Sequence, residues 1–100
     1  MTITTKTFWI TEVDQPNGGP ITKVCAFDLS ERPVQIKSYK REQVVQGLKI
    51  GTILWTCYLS QDGTYKRGAQ VRLTQDRNFI TTKPNDELKD NLGELPACTC

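Results

Sequence analysis

Residues 51–74 read GTILWTCYLSQDGTYKRGAQVRLT, and the alternation in this stretch decides the fold. Ile53, Trp55, Cys57 and Leu59 fall on one face at the two-residue period of a strand, while Thr52, Leu54, Thr56 and Tyr58 fall on the other. Asp62-Gly63 offers the left-handed residues of a primed hairpin turn. Ala69, Val71 and Leu73 then resume the alternation, with Gln70 and Arg72 between them. The stretch is a β-hairpin, so the rest of the chain must be arranged around a sheet.

Upstream of the hairpin lies the one convincing helix. It opens at Ser38 or Lys40 and spaces Val44, Val45 and Leu48 along one narrow apolar face, leaving Arg41, Glu42, Gln43 and Gln46 in water. Gly47 weakens it by roughly 1 kcal/mol relative to alanine, and Gly51 is a natural left-handed stop after Ile50. A helix of two to three turns needs docking on the sheet to persist. Before it, Arg32-Pro33 interrupts a connection in which Val34 and Ile36 make a short extended piece.

Two further strands precede this. In residues 7–13 the simple alternation puts Trp9 and Val13 on one face, with Phe8 and Ile10 on the other; residues 21–27 put Ile21, Cys25 and Phe27 opposite Val24 and Ala26. The Pro, Asn and Gly of residues 14–20 reverse the chain between them. Beyond the hairpin, residues 75–78 form a turn and residues 79–83 a fifth strand. The expected fold class is α+β: a small, mostly antiparallel five-stranded sheet in the order β-β-α-β-β-β, with one short helix across a face. A frayed lead at 1–6, a single domain at 7–96 and a Cys-Thr-Cys tail at 97–100 complete the expected organisation.

One hundred residues suffice for one compact core, and 37% hydrophobic with 24% charged residues is a folding composition. The formal net charge of +2 is too near neutrality to name a partner, but its distribution is uneven. Residues 37–83 hold nine basic and three acidic residues, whereas residues 84–100 hold one basic and four acidic. The start, MTITTKTFWI, has no apolar run suited to a signal peptide, and no stretch reaches the length needed to cross a bilayer. The expectation is a cytoplasmic protein without membrane contact, in a compartment whose thiols stay reduced.

In the tail, Leu88, Leu92 and Leu95 stand at intervals of four and three, which puts three leucines on one side of a helical turn. Asp90 or Asn91 can cap that turn by accepting from its backbone N–H groups, and Pro96 ends it. The pair reads either as part of a latch closing the core or as polar ligand contacts. The sequence FITTKPND at 79–86, followed by DNLGELP at 90–96, resembles the closing signature of a family of small bacterial proteins, the domain-of-unknown-function (DUF) 3892 family. Gly19 to Val24 and the helix with its closing Gly51 are similar to the corresponding parts of that family. The resemblance implies a fold and a bacterial or phage origin; it implies no activity and no catalytic residue.

Chemistry is sparse. There is no histidine, so a general base must be a carboxylate, lysine, tyrosine or thiolate, and no glycine-rich phosphate loop is present. No cofactor is called for. Cys25 and Cys57 read as small hydrophobes inside strands, and Cys98 and Cys100 as an incidental or oxidisable pair; a four-thiolate zinc site from all four lacks the usual two-residue knuckles. Binding is the better reading. Lys66, Arg67 and Arg72 on the hairpin and Lys40 and Arg41 at the helix, with Tyr58 and Tyr65 as flat faces, form a candidate surface for a nucleotide or single-stranded nucleic acid. The alternatives are ordinary solvated charge, or self-association and protein docking through a sheet edge at the first or fifth strand. A thiol- or zinc-dependent protein or small enzyme is a further alternative.

Overall fold

Strand β1, Thr7–Asp14, lies inside the sheet with a neighbour on each side. The computed structural model describes residues 6–74, 76–82, 90, 92, 93 and 95–100. In chain order it contains β1, β2 at Lys23–Asp28, β3 at Lys37–Lys40, helix α1 at Arg41–Lys49, β4 at Ile53–Leu59, β5 at Tyr65–Leu73 and β6 at Ile80–Thr81, with a 3₁₀ turn at Pro16–Gly18. The sheet order is β3-β2-β1-β4-β5-β6, and α1 packs on one face, so the fold is α+β.

Three features differ from the expected five-stranded, mostly antiparallel sheet. The sheet has six strands, because residues 37–40 pair antiparallel with β2, while Val34 and Ile36 stay exposed outside it. Ser38 therefore belongs to a strand, and the helix begins only after Lys40, whose backbone N–H donates to Gln43 Oε1 at 2.8 Å. The sheet is also mixed: β1 and β4 are parallel, with Trp9 beside Trp55 and Phe8 beside Leu54. Helix α1 is the crossover that makes this possible, since parallel neighbours cannot be joined by a tight turn. The first strand is consequently no edge; the two-residue β6, within the expected fifth strand, ends the sheet instead.

Two bulges set which side chains face the helix. On β1 the pairs Ile10–Ala26 and Glu12–Cys25 leave Thr11 as the extra residue, its hydroxyl donating to Cys25 O at 3.2 Å. Simple alternation is thereby broken, and Val13 joins Ile10, Val24 and Ala26 in the core rather than sharing a face with Trp9. On β5 the pairs Trp55–Gln70 and Cys57–Arg67 leave Gly68-Ala69 opposite Thr56, whose hydroxyl accepts from Ala69 N at 3.0 Å. A Cβ on Gly68 would stand 2.6 Å from Thr56 Oγ1 and 3.1 Å from Thr56 O. Gly68→Ala is expected to cost about 1–3 kcal/mol through displacement of that bonded hydroxyl, measured by chemical denaturation.

Gly47 behaves oppositely. Its added Cβ would meet Thr52 at an ordinary 3.5 Å, so Gly47→Ala is expected to raise stability by about 0.5–1 kcal/mol in the same assay. Helix α1 buries Val44 and tucks Val45 and Leu48 against the core, and Gly51 ends it at φ +98° as its position implies.

The hairpin turn is not primed. Asp62 is not left-handed; only Gly63 is, at φ +84°. Ser60 N donates to Thr64 O at 2.8 Å and Gly63 N to Ser60 O at 3.1 Å, which is the three-residue loop with a bulge at glycine. Asp62 accepts instead from the hydroxyls of Ser60 and Thr64 and from Thr64 N, which hold its pKa down to about 2.

Candidate functional site

The sheet has two unlike faces. One is covered by α1 and carries Ile10, Val24, Ala26, Leu54 and Val71, with Val44 of the helix in the same core cluster. Between helix and sheet lies a cavity of about 270 Å³, lined mainly by apolar side chains such as Phe8, Tyr39 and Leu54, with Lys6 and Gln43 also contributing. That is below the usual size of a ligand pocket and offers few polar groups to orient a guest.

The other face is an aromatic platform. One rung of the sheet runs Phe27, Trp9, Trp55, Gln70 across four adjacent strands, since Trp9 is the register partner of both Phe27 and Trp55, and Trp55 of Gln70. Trp9 and Phe27 have ring centroids 5.8 Å apart, and Tyr65 extends the cluster 5.7 Å beyond Phe27. The Arg67 guanidinium lies 4.3 Å from the centre of the Trp55 ring. Phe27 is buried, the two tryptophans are half-buried, and Tyr65 is exposed. Aromatic faces and a stacked guanidinium on a partly exposed sheet face suit a flat π-system.

The residues proposed from sequence separate onto different surfaces. Tyr65 and Arg67 belong to this platform, and Arg72 shares its face by alternation from Gln70. Tyr58 and Lys66 are register partners on the reverse of the hairpin, where Lys66 lies 3.8 Å from Asp62. Lys40 stands at the start of the helix. Arg41 is committed to structure: its Nε and Nη2 donate to the two oxygens of Asp90 at 2.8 and 2.9 Å. Trp9, Phe27 and Trp55 were not singled out from sequence. Their alternation was visible, but the parallel β1–β4 pairing that sets Trp9 beside Trp55 was not.

Asp90 is the centre of the second constellation. Oδ2 also accepts from Ile21 N at 2.8 Å and Oδ1 from Ile80 N at 2.9 Å, so each oxygen takes one donor from Arg41 and one from the backbone. Its own carbonyl accepts from Gln15 Nε2 at 2.8 Å. Burial works against the charged form, but the Arg41, Ile80 and Ile21 hydrogen bonds outweigh it and lower the Asp90 pKa. Leu92 beside it is buried and Leu95 packs on the core, while Pro96 O accepts from Val13 N at 2.9 Å. Asp90 thereby ties the loop before β2, the helix start and β6 together. The expected leucine turn involves Leu88, which with Asn91 lies outside the described residues.

The family model for proteins of unknown function, DUF3892, matches residues 9–96. The chain belongs to the DUF3892 family. The match spans the platform, the helix and the Asp90 hub, and leaves Cys98 and Cys100 beyond its end. No curated protein and no solved structure shows significant similarity to this chain. Among the described residues, no helix is long and apolar enough to cross a membrane.

The cysteines depart from the reading as incidental thiols. Cys25 and Cys100 form a disulfide, and the Cys98 sulfur joins theirs in one group within 4.8 Å. Cys57 is not part of it. Its buried Sγ donates to Ile10 O at 3.4 Å, and desolvation pushes its pKa up to about 11. The sulfurs gathered within that distance are thus three of the four cysteines.

Proposed function

We propose that this DUF3892 protein is a non-enzymatic binding module whose aromatic sheet face holds single-stranded nucleic acid. Trp9 and Trp55 act as stacking surfaces, and Arg67 and Arg72 meet the phosphates. The observation that carries this reading is the Phe27–Trp9–Trp55 rung with Arg67 stacked at its end. Adjacent strands are about 4.8 Å apart, so neighbouring tryptophans offer two ring surfaces to consecutive bases. The chain-wide charge of +2 predicts modest affinity, with little of the long-range attraction that strongly basic binders use.

Tryptophan fluorescence provides the test. Titration with a short unstructured oligonucleotide is expected to quench it, and binding is expected to weaken with salt at a log–log slope of roughly −1.4, for about two phosphate contacts. Trp55→Ala is expected to weaken binding by about 5- to 150-fold, the equivalent of losing about 1–3 kcal/mol of stacking. Lys66→Ala, on the reverse of the hairpin, is expected to change little. Salt-insensitive behaviour with concentration-dependent mass would instead favour pairing through the edge of β5. There residues 65–70 lack a described outer neighbour, although the Gly68 bulge and the flanking Lys66 and Arg67 blunt that edge.

A further inference from the structure

We propose that Cys25, Cys98 and Cys100 form, in the reduced protein, a three-thiolate site for a soft d¹⁰ cation of the zinc or copper(I) class. The Cys25–Cys100 disulfide is its closed, metal-free state. The three sulfur atoms lie within 4.8 Å of one another. A metal–sulfur bond of about 2.3 Å places the sulfurs of a three- or four-coordinate site about 3.8–4.0 Å apart. The bonded Cys25 and Cys100 sulfurs must part, and the Cys98 sulfur already lies within reach of both.

The third ligand is held in place independently of the disulfide. Cys98 N donates to Asp14 Oδ1 at 2.9 Å, its thiol faces Lys23 O at 3.6 Å, and the neighbouring Thr99 hydroxyl donates to Glu12 at 2.9 Å. Together with the Pro96–Val13 hydrogen bond, these contacts keep the tail alongside β1 and β2 when the sulfur–sulfur bond opens. The alternation of Cys98 and Cys100 with Thr99 between them directs both thiols toward the strand residue Cys25. Such outer contacts orient ligands in known metal sites. The thiolates are also the right donors: soft sulfur selects zinc, copper(I) and similar ions over magnesium or calcium.

The chemistry balances simply. Reduction of the disulfide by a dithiol takes up two electrons and two protons, and the dithiol becomes a disulfide in turn. Binding of the cation forms three metal–sulfur bonds and expels one proton from each of the three thiols. In a reducing compartment, as the sequence leads one to expect, the tail latch would then be a metal bridge rather than a covalent bond.

Zinc(II), cobalt(II) as its coloured analogue, and copper(I) are the probes. Protein reduced with a phosphine and freed of reductant is expected to bind one equivalent of zinc or copper(I) per chain, cobalt giving sulfur-to-metal charge-transfer absorption, and the oxidised protein is expected to bind none. Cys98→Ser and Cys25→Ser are expected to weaken binding at least about tenfold, while Cys57→Ser binds as the parent does. Selective binding of copper(I) over zinc would still support the site and assign it as trigonal. Should the reduced chain lose its fold, circular dichroism follows the same titration, and metal is expected to restore the sheet signal in the parent and Cys57→Ser but not in Cys98→Ser. A reduced chain that binds neither ion more than the oxidised one does, or a Cys98→Ser variant that binds equally, overturns the proposal.

Discussion

Asp90→Ala is expected to cost about 3–5 kcal/mol, enough to unfold a large fraction of a 100-residue domain at ambient temperature. The substitution leaves the Arg41 guanidinium without its carboxylate and strips the buried Ile21 and Ile80 N–H groups of their acceptor. Each orphaned buried donor adds its own desolvation cost. Asp90→Asn keeps the shape and one carbonyl acceptor, so it should fall between alanine and the parent in a urea titration. The same carboxylate confers a pH dependence. Its folded pKa lies below the unfolded value of about 3.9, so its contribution is fully present above about pH 4 and is lost as pH falls through the folded pKa. Acid unfolding of the parent should therefore be steeper than that of Asp90→Asn, measured by circular dichroism between about pH 2 and 5. A variant as stable as the parent would mean that the hub contributes no stability.

Opening the Cys25–Cys100 disulfide is expected to cost about 2–4 kcal/mol. The two cysteines are 75 residues apart, and in the chain-entropy description a loop of that size restricts the unfolded chain by about 4.5 kcal/mol, of which native-state strain and residual structure leave part. For a domain of this length the melting temperature should fall by about 10–20 °C on adding reductant under metal-free conditions, with Cys100→Ser matching the reduced parent. A drop of only a degree or two would show that the tail is held by the Asp14, Glu12 and Val13 hydrogen bonds alone.

The elements that were legible in the sequence are those whose signal is local. The central hairpin announces itself by alternation, and α1 by the spacing of Val44, Val45 and Leu48 and by Gly51, which does adopt the left-handed conformation that stops a helix. The closing role of Asp90 was legible in kind but not in its partners, since Ile21, Arg41 and Ile80 come from three separate parts of the chain.

What the sequence hid is non-local or depends on one inserted residue. Nothing in residues 7–13 or 53–59 states that these strands run parallel, because the pairing is made through a helix rather than a turn. The Thr11 bulge moves Val13 to the other face without leaving any mark in the hydrophobic pattern. A strand at 37–40, with Lys at both ends, looks like solvated loop until β2 offers it an edge. Cys25 reads as a core thiol because nothing in its own strand points to residue 100, which the fold brings beside it.

The most direct test of the binding face is an ¹⁵N-resolved NMR titration of the full chain with a short single-stranded oligonucleotide, following the two indole N–H signals. Binding on the platform is expected to shift both the Trp9 and Trp55 indoles and the backbone amides of Phe27, Arg67 and Gln70, while Val44, Val45 and Gln46 on α1 stay still. Shifts centred on α1 and Lys40 with unmoved indoles, or no shifts at millimolar ligand, would contradict it.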